Sequence, residues 1–114
     1  ANNNDKWLSF DSFGLGIYNG SAWTIYNTGN SGLPTDSING TFILNQTDAW
    51  IATKAGAVLK AGSNWTVYDT SNSGLPSNNI TTVFDNNGIT YFGTHNGLAK
   101  FDGTNWTVYK QIHL

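Results

Sequence analysis

The stretch NSGLPTDSI at residues 30–38 returns as NSGLPSNNI at residues 72–80. The same step of 42 residues separates Trp23 from Trp65, and Trp106 follows 41 residues further on. The chain is therefore a tandem array. A period of about 40 residues holding four strand-like runs is that of a β-propeller blade, a small antiparallel sheet that packs face to face with its neighbours around an axis. Such a sheet cannot bury both faces by itself, so three of them are too few for a closed ring.

The last unit shows the four runs best. Residues 80–85 (ITTVFD) are β-branched and aromatic and end at Asn86-Asn87-Gly88, where Asn and Gly tolerate the positive φ of a tight hairpin. Residues 89–94 (ITYFGT) form the second strand, residues 98–101 the third and residues 106–109 (WTVY) the fourth. The preceding unit aligns with it, giving strands at 40–44, 49–53, 57–60 and 65–68. Matching glycines, Gly14, Gly56 and Gly97, each stand nine residues before a tryptophan and anchor the third strand. No segment sustains a helical period, and the fold class is all-β. Residues 2–7 resemble residues 45–50, so the first unit begins at its second strand and lacks the innermost one. The expected division is a partial blade at 1–28, a blade at 29–70 and a blade at 71–114.

Composition narrows the chemistry. The 114 residues have room for one small domain, burying roughly 65% of the unfolded surface. With no cysteine there is neither a disulfide nor a thiolate metal site. Methionine is absent and the chain opens on Ala1, which leads us to expect a processed or excised piece. No run approaches the roughly 20 apolar residues of a membrane span. All five basic residues are lysine, all seven acids are aspartate, and the net charge is −2. That excludes a phosphate-tracking surface, so no nucleic-acid partner is expected. Low charge alone would permit disorder, but aromatic and β-branched residues recur in register. The abundant Asn, Thr, Ser and Gly fit a secreted or periplasmic β protein.

A family resemblance rests on Ser73-Gly74-Leu75-Pro76, Ile80, Tyr91, Gly93-Thr94, Gly97-Leu98, Phe101-Asp102-Gly103 and Trp106 to Tyr109. This pattern resembles the two-component-regulator propeller repeat of periplasmic sensor domains in hybrid histidine kinases. The middle unit keeps Ser31-Gly32-Leu33-Pro34, Ile38, Trp50, Thr53, Gly56 and Trp65 to Tyr68. It departs at Ala52, where a glycine would stand, and at Lys60-Ala61-Gly62, which replaces Phe-Asp-Gly. The resemblance implies a propeller and, in such sensors, detection of extracellular oligosaccharides. Nothing resembles a kinase or a response regulator.

Candidate ligand-binding residues fall in two groups. Trp23, Trp65 and Trp106 open the outermost strands just after turns, where a repeated indole face can hold sugars multivalently. The competing role is packing between blades. The NSGLP loops converge on one face of the array together with turns at Asp11-Ser12, Lys54-Ala55 and His95-Asn96, and converging loops commonly bind ligands. Gly, Leu and Pro of these loops have structural uses, so Asn30, Ser31, Asp36, Asn72, Ser73 and Asn78 remain for recognition. Trp7, Trp50 and Tyr91, at matching places on second strands, are assigned to the core rather than to a sugar platform. His95 and His113 lack metal-ligand spacing and are assigned to solvent. Asp85-Asn86-Asn87-Gly88 reads as a turn rather than a calcium loop. Asn-x-Ser/Thr triplets, as at Asn39, Asn64, Asn79 and Asn105, are expected by chance in so Asn- and Thr-rich a chain.

No cofactor, metal or catalytic residue is implied, and no nucleophile motif such as Gly-x-Ser-x-Gly occurs. The reading is a non-catalytic, extracytoplasmic, carbohydrate-binding propeller module whose ring is completed by homo-oligomerisation. A homodimer of about six blades is preferred, with a trimer of about nine as the alternative. A self-assembling or protein-interaction fragment without a small-molecule ligand stays open beside it, as does excision from a longer propeller.

Overall fold

In a computed structural model the described residues are 6–10, 13–45 and 48–109, and they form eleven strands with no helix among them. β1 (Lys6–Phe10), β2 (Gly14–Tyr18) and β3 (Trp23–Tyr26) make a three-stranded sheet. β4 (Ile38–Ile43), β5 (Asp48–Thr53), β6 (Gly56–Ala61) and β7 (Asn64–Tyr68) make the second sheet. The third holds β8 (Ile80–Asn86), β9 (Ile89–Thr94), β10 (Gly97–Phe101) and β11 (Trp106–Tyr109). Every pairing is antiparallel between consecutive strands, so each sheet is a simple meander, as propeller-like blades require. β1 pairs with β2 alone, which leaves its other edge without a strand among the described residues.

Local chemistry sets these turns. Asn87 and Gly88 both take positive φ, 55° and 86°, giving the two-residue hairpin turn that suits the right-handed twist of β8 and β9. Gly14, Gly56 and Gly97 open their strands at φ of 103°, 129° and 125°. At Gly56 a Cβ would lie 2.6 Å from the Tyr68 carbonyl oxygen, so both the dihedral and the close approach demand glycine. β4 starts at Ile38, two residues earlier than expected, whereas β8 starts at Ile80 as expected. β4 and β8 each begin with an irregular step, between Ile38 and Gly40 and between Ile80 and Thr82. These bulges re-aim Asn39 and Thr81 out of the ladder.

The sheets stack through their faces. The second sheet has one face toward the first sheet and the other toward the third. Between the first and second sheets lie Leu15, Ile51, Val58 and Ile38, capped by Leu33 from the loop, with Trp7, Tyr26, Trp65 and Val67 around them. Between the second and third lie Trp50, Ala52, Ala57, Val83, Phe92, Ala99 and Ile80, capped by Leu75. Trp50 is thus core, as expected, while Tyr91 at the same place in the third sheet is only half-buried. The departure at Ala52 is matched across the ladder, since Ala52 stands opposite Gly40 whereas Gly93 stands opposite Thr82. A Cβ on Gly93 would lie 2.7 Å from the Thr82 methyl.

Candidate functional site

Both NSGLP loops lie at the sheet end that also carries the Lys54-Ala55 and His95-Asn96 turns. Lys54 N donates to Ser37 O at 3.2 Å, His95 N to Asn79 O at 3.3 Å, and Asn96 Nδ2 to Pro76 O at 3.3 Å. The Asp11-Ser12 turn expected beside them lies outside the described residues, as does His113, but Gly14 N donates to Asp36 O at 3.0 Å. The two loops are built alike. Asn30 accepts from Asn27 N and donates to Ile25 O, both at 2.8 Å, and Asn72 does the same with Asp69 N and Val67 O. The Ser31 and Ser73 hydroxyls donate to Asn27 O and Asp69 O and accept from Leu33 N and Leu75 N. Asp36 accepts from Thr28 N at 2.9 Å and Asn78 from Thr70 N at 2.8 Å. The six polar residues singled out for recognition therefore hold the loop backbone, whose amides would otherwise go unpaired.

The three tryptophans split. Trp65 and Trp106 sit beneath the loops, where a Cβ on Gly32 or Gly74 would come within 2.3 Å of their own Cβ atoms. Trp65 meets Tyr26 edge-on at 5.2 Å, and Trp106 stacks on Phe101 at 4.3 Å. Trp23 is half exposed and leans on Tyr18, with centroids 4.9 Å apart.

A further polar group at the loop end was not singled out from sequence. Asn39 reaches from the second sheet to the third, donating to Ile80 O at 2.7 Å and Asn79 Oδ1 at 3.2 Å. Asn79 Nδ2 lies 3.3 Å from His95 Nε2, which accepts in its Nδ1-protonated tautomer. Asn39, His95 and Asn96 are exposed, as sequence expected of His95. Phe13, at the same end of the first sheet, is 74% exposed. The amides and the imidazole supply the hydrogen-bonding groups that polyhydroxylated ligands need. The signal was hard to find because Asn39 and Asn79 do not occupy equivalent repeat positions.

The opposite sheet end carries turns of a different kind. Asp102 accepts from Asn105 N at 2.7 Å and Thr104 N at 2.8 Å, and these amides hold its carboxyl below the usual carboxylate range. At the loop end, the Ser71 hydroxyl, and then its amide, lower Asp69 in the same way. Asp85 accepts from Thr90 Oγ1 at 2.8 Å and Gly88 N at 3.4 Å, a turn-holding use. Among the described residues no group of three His, Cys, Asp or Glu side chains is placed to hold a metal ion.

No family model matches the chain, and no curated protein matches it. Among solved structures it is similar to the extracellular domain of the putative hybrid two-component system BT3049 from B. thetaiotaomicron, at a TM-score of 0.79 and 19% identity. The match covers 93% of this chain and 16% of that one. It shows the fold, and this chain spans less than a fifth of its neighbour's length. Among the described residues no helix is long and apolar enough to cross a membrane.

Proposed function

We propose that the chain is a non-catalytic, extracytoplasmic propeller module that binds oligosaccharide through its loop end. The observation that carries this reading is the Asn39–Asn79–His95 chain, which bridges two sheets at an exposed position where loops of both converge. The low charge of the chain as a whole favours neutral polyhydroxylated ligands over phosphates. Two further supports are the resemblance of the repeat to sensor propellers and the extracellular location of the solved neighbour. The reading places detection here and assigns no signalling step to these residues.

The test is a calorimetric and tryptophan-fluorescence titration against a panel of neutral and acidic oligosaccharides. Saturable binding is expected, lost in Asn79→Ala and His95→Ala at an unchanged thermal midpoint. A panel without any response sinks the proposal. A second reading, a self-assembling scaffold, is favoured by the exposed apolar side chains Leu8, Leu98 and Tyr109 on the outer faces of the first and third sheets.

A further inference from the structure

The two end faces are the two halves of an interface that the chain already makes twice. On the third sheet Phe84 is 54%, Leu98 40% and Tyr109 50% exposed, Phe84 also meeting Phe42 of the second sheet edge-on at 5.3 Å. By repeat alignment these stand where the second sheet has Phe42, Ala57 and Tyr68, and Ala57 there is wholly buried against the third sheet. On the first sheet Leu8 is 46% and Trp23 47% exposed. They stand where the second sheet has Ile51 and Trp65 and the third has Phe92 and Trp106, and both Ile51 and Phe92 are wholly buried. Strand register confirms that each set shares a face. Leu98 lies opposite Tyr109 through adjoining rows with Tyr91 and Phe84, and Trp23 opposite Tyr18 in the row next to Leu8.

At both internal junctions one contact recurs. The tyrosine ending the outer strand lies over the tryptophan opening the next outer strand, Tyr26 with Trp65 at 5.2 Å and Tyr68 with Trp106 at 5.9 Å. Tyr109 and Trp23 are the remaining members of these two series. We infer that the exposed face of the third sheet docks on the exposed face of the first sheet of a second copy of this chain, with Tyr109 over Trp23. The occupant is a second copy because each half already has two fitted partners of its own kind within the chain, and the new junction continues that series. Head-to-tail docking uses different faces on the two partners, so it closes into a ring or runs on as a filament. Two copies bring six sheets, within the usual four to eight blades, whereas three bring nine.

The inference rests on the propeller reading and is independent of the sugar reading. Sedimentation of the full chain between about 1 and 100 µM, without sugar, is expected to give a particle of twice the 12.4 kDa chain mass. Trp23→Asp and Tyr109→Asp should each weaken association about 30-fold or more, the scale of a lost interface anchor, with far-UV circular dichroism unchanged. If either variant unfolds, Leu8→Asp and Leu98→Asp address the same two faces. An equimolar mixture of one variant from each face should associate again, because one junction per pair keeps both intact halves.

A wild-type monomer overturns the inference and gives these faces to blades of another polypeptide or a longer chain. So does a dimer indifferent to the substitutions, or a mixture that stays monomeric, which would mean that the two intact faces do not fit each other. A protein that dimerises but ignores sugars removes only the proposed function, and one that binds sugar as a monomer removes only the docking.

Discussion

The junction between the first and second sheets and the junction between the second and third use the same positions with different chemistry. In the later junction Phe92 meets Trp50 edge-on at 5.0 Å, Trp106 lies 5.6 Å from Phe92, and Phe101 stacks on Trp106 within 5.6 Å of Tyr68. In the earlier one Ile51 and Val58 replace Phe92 and Ala99, and Lys60 replaces Phe101. Lys60 extends its ammonium over Trp7, Tyr26 and Trp65 at 6.0, 5.6 and 5.6 Å and donates to Gly62 O at 2.6 Å. The earlier junction also buries Trp7 Nε1 without a hydrogen-bond partner, a cost of about 1–3 kcal/mol. One backbone frame thus accepts an aromatic stack or a cation among rings, provided the volume between the sheets is filled.

The sharpest way to break this pair is in its larger aromatic core. Phe92→Ala should cost about 3–5 kcal/mol, because a wholly buried ring is removed together with two ring contacts. Ile51→Ala, at the equivalent place, should cost less, about 2–4 kcal/mol. Urea midpoints of the two variants compare them directly. Equal losses would mean that the aromatic geometry adds nothing beyond area.

Next in size is the glycine series. Gly56→Ala places a Cβ near the Tyr68 carbonyl at a strongly positive φ and should cost about 1–3 kcal/mol. Gly14→Ala should cost a similar amount, its Cβ meeting the Tyr26 carbonyl. Gly40→Ala meets nothing within 4 Å and should stay within about 0.5 kcal/mol of the parent. Thermal melts of the three variants check this. A Gly40→Ala loss as large as the others would remove the backbone explanation.

These glycines were visible in the sequence because their spacing to tryptophan repeats and because only glycine suits the conformation. The same holds for Asn87-Gly88 and for the SGLP loops, where local chemistry and repeat position agree. Sheet membership followed from period-two patterning between such turns. What sequence did not show is chemistry assembled across sheets. Asn39, Asn79 and His95 come together from residues up to 56 apart, at positions where the neighbouring repeat has Thr81, Ser37 and Lys54. The departure at Lys60-Ala61-Gly62 removes the turn aspartate that Asp102 supplies in the third sheet. Its rescue comes from Asp48 on another strand, whose carboxylate accepts from Gly62 N at 3.0 Å. Conversely, Asn30 and Asn72 looked available because nothing local reveals that each folds back on a carbonyl five residues earlier.

Lys60 itself gives a smaller effect. Lys60→Ala should cost about 1 kcal/mol, since the ammonium leaves a half-buried group of rings and the stem no longer covers them. Lys60→Phe should recover most of that by adopting the arrangement of Phe101 on Trp106. Urea midpoints for both variants test the interchange. If Phe is no better than Ala, the two junctions are not chemically exchangeable.

The smallest effect lies in the outer turns, where the chain supplies its own control. Asp102 caps the turn before β11 with two backbone amides, and Asn19 caps the corresponding turn before β3 by accepting from Ser21 N and Ala22 N, both at 2.9 Å. Because the fold lowers the Asp102 carboxyl, its contribution is complete above the unfolded pKa of about 4 and is lost as pH falls through the lower folded value. Asp102→Asn keeps the accepting oxygen and removes the titration. The variant should melt slightly below the parent at pH 7, lacking the charge, and lose less stability than the parent below about pH 4. Parallel thermal melts at pH 7 and pH 3 measure that difference, and it cancels the ionisation of Asp69, which is lowered in both proteins. Coincident acid limbs would mean that the solvent-exposed carboxylate of Asp102 holds its turn no better charged than neutral, as Asn19 does in the first sheet.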